Sequence, residues 1–265
     1  MMPRPATFAV ASILLLSLAA AVPPLAAGPP PEVSSRLEDS IKFLKPGWFI
    51  GSYTTTTRSV VSKRDGSARE ETVLVQRDAV LPDGRRERQL VSATKNGKDV
   101  TDEERKRFQT EVKPRDNTKE GGKAGNGGGQ EFILPFEEGN EKLFTFGEPA
   151  PDGELLVQTF YPGADHRKDA GMTRGRVAWN PQSLDPAWIE FTFARMPSGV
   201  SEFLLRFEFA RAGEEVALRR MVTSGVGGFL WIKRRFSAEV EFSDIVRGGP
   251  GPAAPAKPPA ATPPS

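Results

Sequence analysis

The run IEFTFARMPSGVSEFLLRFEF, Ile189 to Phe209, alternates strictly enough to dictate what must surround it. Read as two strands around a Pro/Ser/Gly turn, it places Ile189, Phe191 and Phe193, then Phe203, Leu205, Phe207 and Phe209, on one face, because side chains alternate sides along a strand. Burying one phenylalanine is worth about 2 kcal/mol, so the five in this hairpin represent about 10 kcal/mol. That rivals a whole folding free energy, roughly 5–15 kcal/mol. The face must therefore be covered, either by the chain itself or by something the chain carries.

The rest of the chain bounds what can do the covering. Arg4 precedes an apolar run from Phe8 to Val22, followed by PPLAAGPPPE. A positive start, a short apolar stretch and small residues make the pattern of a secretory signal peptide. The run is about 15 residues, short of the roughly 20 that span a bilayer as a helix. The expected leader is residues 1–27, cut after Ala27, with Ala21 as the alternative cut and a retained anchor as the alternative to cleavage. At the other end, RGGPGPAAPAKPPAATPPS from Arg247 has no apolar period, and residues 247–265 read as a disordered Pro/Ala tail. One domain is expected over residues 32–246.

The chain has no cysteine, which excludes a disulfide framework, a thiol nucleophile and lipid attachment through an N-terminal cysteine. Its formal net charge of +2 gives no strong global field toward nucleic acid or anionic lipid. These features together suit a periplasmic or secreted bacterial protein.

Along the mature chain, Val33, Leu37, Ile41 and Leu44 fall at helical intervals, predicting an amphipathic helix that ends at Pro46 and Gly47. Three β-rich runs follow, separated by Asp65-Gly66, Asp83-Gly84 and Asn96-Gly97. Those pairs accept the positive φ of tight hairpins, so a strand meander is expected. The stretch DVTDEERKRFQTEV predicts a short exposed helix, with Thr101 and Glu104 as a capping box. Residues 113–130 read as a flexible Gly/Lys loop without a phosphate-loop pattern. Then EFILPFEEGNEKLFTF is expected to tuck Phe132, Phe136, Leu143 and Phe146 onto the body. Six strands complete the chain, with a break expected at GVGG; in the last, Phe236, Ala238, Val240 and Phe242 share one face.

Area then fixes the architecture. Nine or so strands about 4.8 Å apart span roughly 40 Å. A helix of about 13 residues is only about 20 Å long and about 10 Å across. The expectation is a mainly antiparallel β protein, its strongly curved half-barrel sheet wrapped around the N-terminal helix, with a short helical insertion.

Catalytic patterns are sparse. The single histidine, His166, sits in a polar link with Asp165 and Asp169, and no G-x-S-x-G exists to present a serine nucleophile. Glu190 and Glu208 have the parity of the wet face, opposite the phenylalanines. Trp179 and Trp188 flank NPQSLDP, where they pack in the core or close a cavity mouth. Arg234, in WIKRRF, shares the parity of Phe236 and reads as a solvated arginine or as a cation at a cavity edge that meets a lipid headgroup or an acidic partner. No cofactor, no metal and no reaction is implied.

The order of elements, with GRVAWNP (Gly175 to Pro181) leading into WIEFTF and with NGKDVTDEERKRF before the loop, resembles the periplasmic lipoprotein-carrier, LolA/LolB-like, superfamily. The resemblance implies a curved antiparallel sheet over a helical lid, enclosing an apolar cavity that receives acyl chains. On that reading Ile189, Phe191, Phe193, Phe203, Leu205, Phe207, Phe209, Phe236, Leu37 and Ile41 line the cavity, and Arg234, Trp179 and Trp188 stand at its edge. The partners are then a lipid or acyl chain, or an acylated protein. The alternative is an envelope interaction or scaffold module of the same fold with a filled core, whose partner is an envelope protein.

Overall fold

The structure, a computed structural model, describes residues 27–42, 51–81, 86–111, 132–229 and 232–247. The expected leader up to Ala26, the end of the first predicted helix from Phe43 to Gly47, the expected Asp83-Gly84 turn, the Gly/Lys loop and the tail beyond Arg247 lie outside these residues.

Helix α1 spans Pro31–Lys42. Proline suits the first helical position, where its missing N–H has no partner to lose. Val33, Leu37 and Ile41 recur every fourth residue and are all buried. Helix α2 spans Thr101–Glu111 and is mostly exposed over its first turns. The expected capping box does not form. The Thr101 hydroxyl is committed to β3, accepting from the Ala93 N–H at 2.9 Å, and Asp99 accepts the Thr101 N–H at 2.8 Å instead.

The strands are β1 (Gly51–Lys63), β2 (Glu70–Val80), β3 (Arg86–Lys95), β4 (Lys98–Asp99), β5 (Phe144–Phe146), β6 (Ala150–Asp152), β7 (Leu155–Pro162), β8 (Thr173–Trp179), β9 (Pro186–Phe193), β10 (Val200–Ala212), β11 (Glu215–Phe229) and β12 (Ile232–Arg247). They form one open, curved sheet in the order β4-β3-β2-β1-β12-β11-β10-β9-β8-β7-β5, with β6 also on β7. Every pairing between these strands is antiparallel. The two meanders join where β1 meets β12, from Gly51↔Arg247 to Lys63↔Arg234.

The hairpin from β3 to β4 turns on Asn96 and Gly97, both at positive φ, as the sequence predicts. The GVGG stretch differs from expectation: β11 runs straight through it, and the chain turns only after Phe229. Gly225 sits under the ring of Phe236, where a Cβ would lie 2.6 Å from Cζ and 2.6 Å from the Glu202 carbonyl. The glycine marks a close approach inside a strand, a second meaning of glycine that sequence alone does not separate from a turn. Register shifts near Gln76, Trp179 and Phe209 add local bend and twist.

The core lies on the face that carries α1. Val33 and Leu37 are fully buried, and Ser40 donates to the Val216 carbonyl at 2.9 Å. Helix α1 packs on β9 and β11. The segment 132–136 covers the neighbouring strands. Among the described residues no helix is long and apolar enough to cross a membrane.

Candidate functional site

The hairpin of β9 and β10 presents its phenylalanines to the inner face. Leu205 pairs with Phe191, and Phe207 with Ile189, so both strands aim the same parity inward. Ile189, Phe191, Phe193, Leu205, Phe207 and Phe209 are buried, and all of them but Phe193 form one cluster with Leu37 and Ile41. Phe203 is half-buried and packs against that cluster.

The groups that cover this face belong to the same chain. The Phe132 ring stacks on Phe193 at 4.9 Å and on Phe203 at 5.8 Å, and meets Phe191 edge-on at 5.3 Å. Leu134 and Phe136 follow it into the core, and Phe136 meets Phe160 edge-on at 5.6 Å. The segment is anchored by the backbone, with the Ile133 N–H donating to Gly171 and the Thr173 hydroxyl donating to the Ile133 carbonyl at 2.7 Å. Helix α1 covers the adjoining stretch.

An ionic clamp holds α1 from outside. Asp185, in the turn between β8 and β9, accepts from Arg36 of α1 and three times from Arg211 of β10, at 2.7, 2.9 and 3.1 Å. Arg36 also donates to the Ser183 carbonyl at 2.8 Å. Burial pushes the Asp185 carboxyl up, but hydrogen bonds from Arg211 and Ser183, with the charges of Arg211 and Arg36, outweigh it and hold it below its ordinary value.

The two tryptophans separate. Trp179 is buried in the core, whereas Trp188 stands half-buried on the outer face between the guanidinium groups of Arg206 at 4.5 Å and Arg176 at 5.5 Å. Trp179 shares the inward parity of Val177, two residues before it on β8 and fully buried. Phe236 is half-buried on β12 over Gly225, outside the main cluster. Arg234 keeps the inward parity of Phe236, since the β11–β12 register is unbroken, and it is exposed. It borders a small cavity of about 210 Å³ with Val61, Ser62, Lys63, Ala68 and Glu70.

Glu190 and Glu208 belong to a ladder of alternating charge across the outer face. Arg176 meets Glu190 at 2.5 Å, Arg206 lies 3.8 Å from Glu190 and 2.9 Å from Glu208, and Arg220 lies 3.4 Å from Glu208 and 2.7 Å from Glu239. Arg58, opposite Glu239 in register, meets Glu71 at 2.7 Å. The hydrogen bond to Glu239, then the charges of Glu239 and Glu208, raise the Arg220 pKa. Carboxylates paired this way cross-link strands. His166 pairs with Asp169 at 2.9 Å in an exposed link. Among the described residues no three acidic, histidine or cysteine side chains cluster as a metal site.

Sequence reasoning tucked Phe132 onto the body without naming the rings it meets, and it missed the Asp185 clamp. Both are long-range contacts made by loop residues, and no period announces them. The outer ladder was legible in part, through the parity of Glu190 and Glu208.

No family model matches the chain, and no curated protein matches it. Among solved structures it is similar to a domain ascribed to outer membrane lipoprotein sorting from Vibrio parahaemolyticus, 13% identical, with 82% of this chain and 94% of that chain covered and a TM-score of 0.32. It is also similar to MucB in complex with the periplasmic part of MucA, at 8% identity, and to the MucA/MucB complex of Pseudomonas aeruginosa, at 10%; each covers 80% of this chain and 94% of that chain, with a TM-score of 0.21.

Proposed function

We propose that this chain is an exported, non-catalytic envelope module that acts by binding a protein partner, with its aromatic inner face serving as its own core. The observation that carries this reading is the occupancy of that face: Phe132 stacks on Phe193 and Phe203, and α1 buries Val33, Leu37 and Ile41 beside them. A carrier of acyl chains would have to displace both before a chain could enter. On the outer face Glu190, Glu208 and Glu239 are matched into ion pairs with Arg176, Arg206 and Arg220. Export is supported by the basic, apolar and small-residue pattern at Arg4 to Ala27.

Native mass spectrometry with organic extraction, on protein purified from a lipid-containing host, tests the reading. The expected result is a folded, ligand-free species whose thermal stability is unchanged by added fatty acid or phospholipid. Stoichiometric retention of acyl species, with unfolding that moves upward as ligand is added, would replace it with the carrier reading.

A further inference from the structure

The outer face neutralises its arginines strand by strand, yet one end of the sheet does not. Lys63, Arg64, Lys233, Arg234 and Arg235 are exposed, and among the described residues none of them has an ion-pair partner. Lys63 and Arg234 stand directly opposite each other on adjacent strands. Like charges so placed repel, and the other neighbour of Arg234 in register, Gly227, offers no side chain to offset them. The nearby acids give partial relief, the charge of Lys63 acting on Asp65. Glu70 is paired with Lys95 at 3.1 Å, and Asp65, beside Lys63, is hydrogen-bonded to the backbone and hydroxyl of Ser67. With a net charge of only +2 for the whole chain, this is a local concentration and not a general excess.

The topology puts these cations around a projecting hairpin. The last pair of β1 with β12 is Lys63↔Arg234, and the first pair of β10 with β11 is Val200↔Gly227. The β11–β12 hairpin continues two pairs further, through Gly228↔Lys233 to Phe229↔Ile232. Its final pair is thus two apolar residues, directly beyond a collar of lysine and arginine. An anionic bilayer surface attracts such a collar, each lysine or arginine near it being worth about 1 kcal/mol.

We propose that this end of the sheet docks the protein onto the anionic surface of a phospholipid bilayer, through Lys63, Arg64, Lys233, Arg234 and Arg235. The contact is peripheral and falls with salt, and it does not require the inner face to open. It therefore stands whether or not acyl chains enter the core.

Co-sedimentation of the intact mature protein with vesicles tests it, using one part phosphatidylglycerol to two parts phosphatidylcholine against phosphatidylcholine alone. The expected result is binding to the anionic vesicles only, weakened by added salt. Lys63→Glu/Arg234→Glu should lower the partition at least about tenfold. Arg167→Glu/Lys168→Glu, the same charge change at exposed positions of the β7–β8 link, should leave it within about twofold. Should the first variant misfold by circular dichroism, Lys63→Gln/Arg234→Gln supplies the same comparison with a smaller drop. No binding by the wild type, equal binding to neutral vesicles, or equal losses in the two charge-reversed variants would overturn the proposal. So would release by inorganic phosphate beyond that caused by chloride of equal ionic strength, which would mark a site for the free anion.

Discussion

Gly175 leaves no room for a side chain. A Cβ there would lie 2.1 Å from the Glu190 carbonyl oxygen and 2.8 Å from the Phe191 Cα, both backbone atoms of the adjacent strand. Gly175→Ala is expected to destabilise the fold by about 3 kcal/mol, measured as a lowered denaturant midpoint. Asp185 makes a pH-dependent contribution whose sign follows from its depressed pKa. The stabilisation is present above the ordinary carboxylate value of 3.8 and is lost as pH falls through the lower, folded value. With Arg36 and Arg211 substantially exposed, solvent screening limits the clamp to about 1 kcal/mol at neutral pH. Asp185→Asn should therefore cost about that much at pH 7, and the gap to wild type should close in acid below pH 3.8; a gap that persists there would place the loss in packing. Neither residue announced its role in the sequence. Gly175 lies inside a predicted strand, and Asp185 lies in a polar turn like many others.

The elements divide along the same line. The helices and the first hairpins were legible because their determinants are local: a four-residue apolar spacing for α1, and Asn-Gly or Asp-Gly between β-rich runs. The alternation of Ile189 to Phe209 specified the inward face of β9 and β10 residue by residue. The passage of β11 through GVGG was not legible, because the glycines answer to the ring of Phe236 and to the neighbouring strand, which only the fold brings near. The α2 cap failed for a similar reason, since β3 competes for the Thr101 hydroxyl. Two element-scale predictions follow from the cover on the aromatic face. Leu37→Ala should destabilise by about 3 kcal/mol, within the 2–5 kcal/mol range of buried leucine truncation, read by chemical denaturation. A double-mutant cycle of Phe132→Leu with Phe193→Leu should give a coupling of about 1 kcal/mol, as for packed aromatic pairs; additivity would remove Phe132 from the cover.

For the whole molecule, the decisive feature is the junction of β1 with β12. It joins a meander at the start of the chain to a strand at its end, so the sheet cannot be completed until both have formed. Loop closure over such a separation makes folding slow, in the millisecond-to-second range of non-local β topologies. A chain truncated before Ile232 should leave the facing edges of β1 and β11 unpaired and aggregate. The area argument correctly required a curved sheet, because no helix of α1's length covers so many strands. It left open what fills the curve, since side-chain parity says where an apolar face points and not what meets it. The central claim is that this chain covers its own aromatic face. Proton–proton Overhauser contacts between the ring of Phe132 and those of Phe193 and Phe203, in delipidated protein with labelled phenylalanine, test it most directly. The account predicts these contacts in the ligand-free protein, unchanged when phospholipid is added. Their absence, or their replacement by contacts to acyl protons, would contradict it.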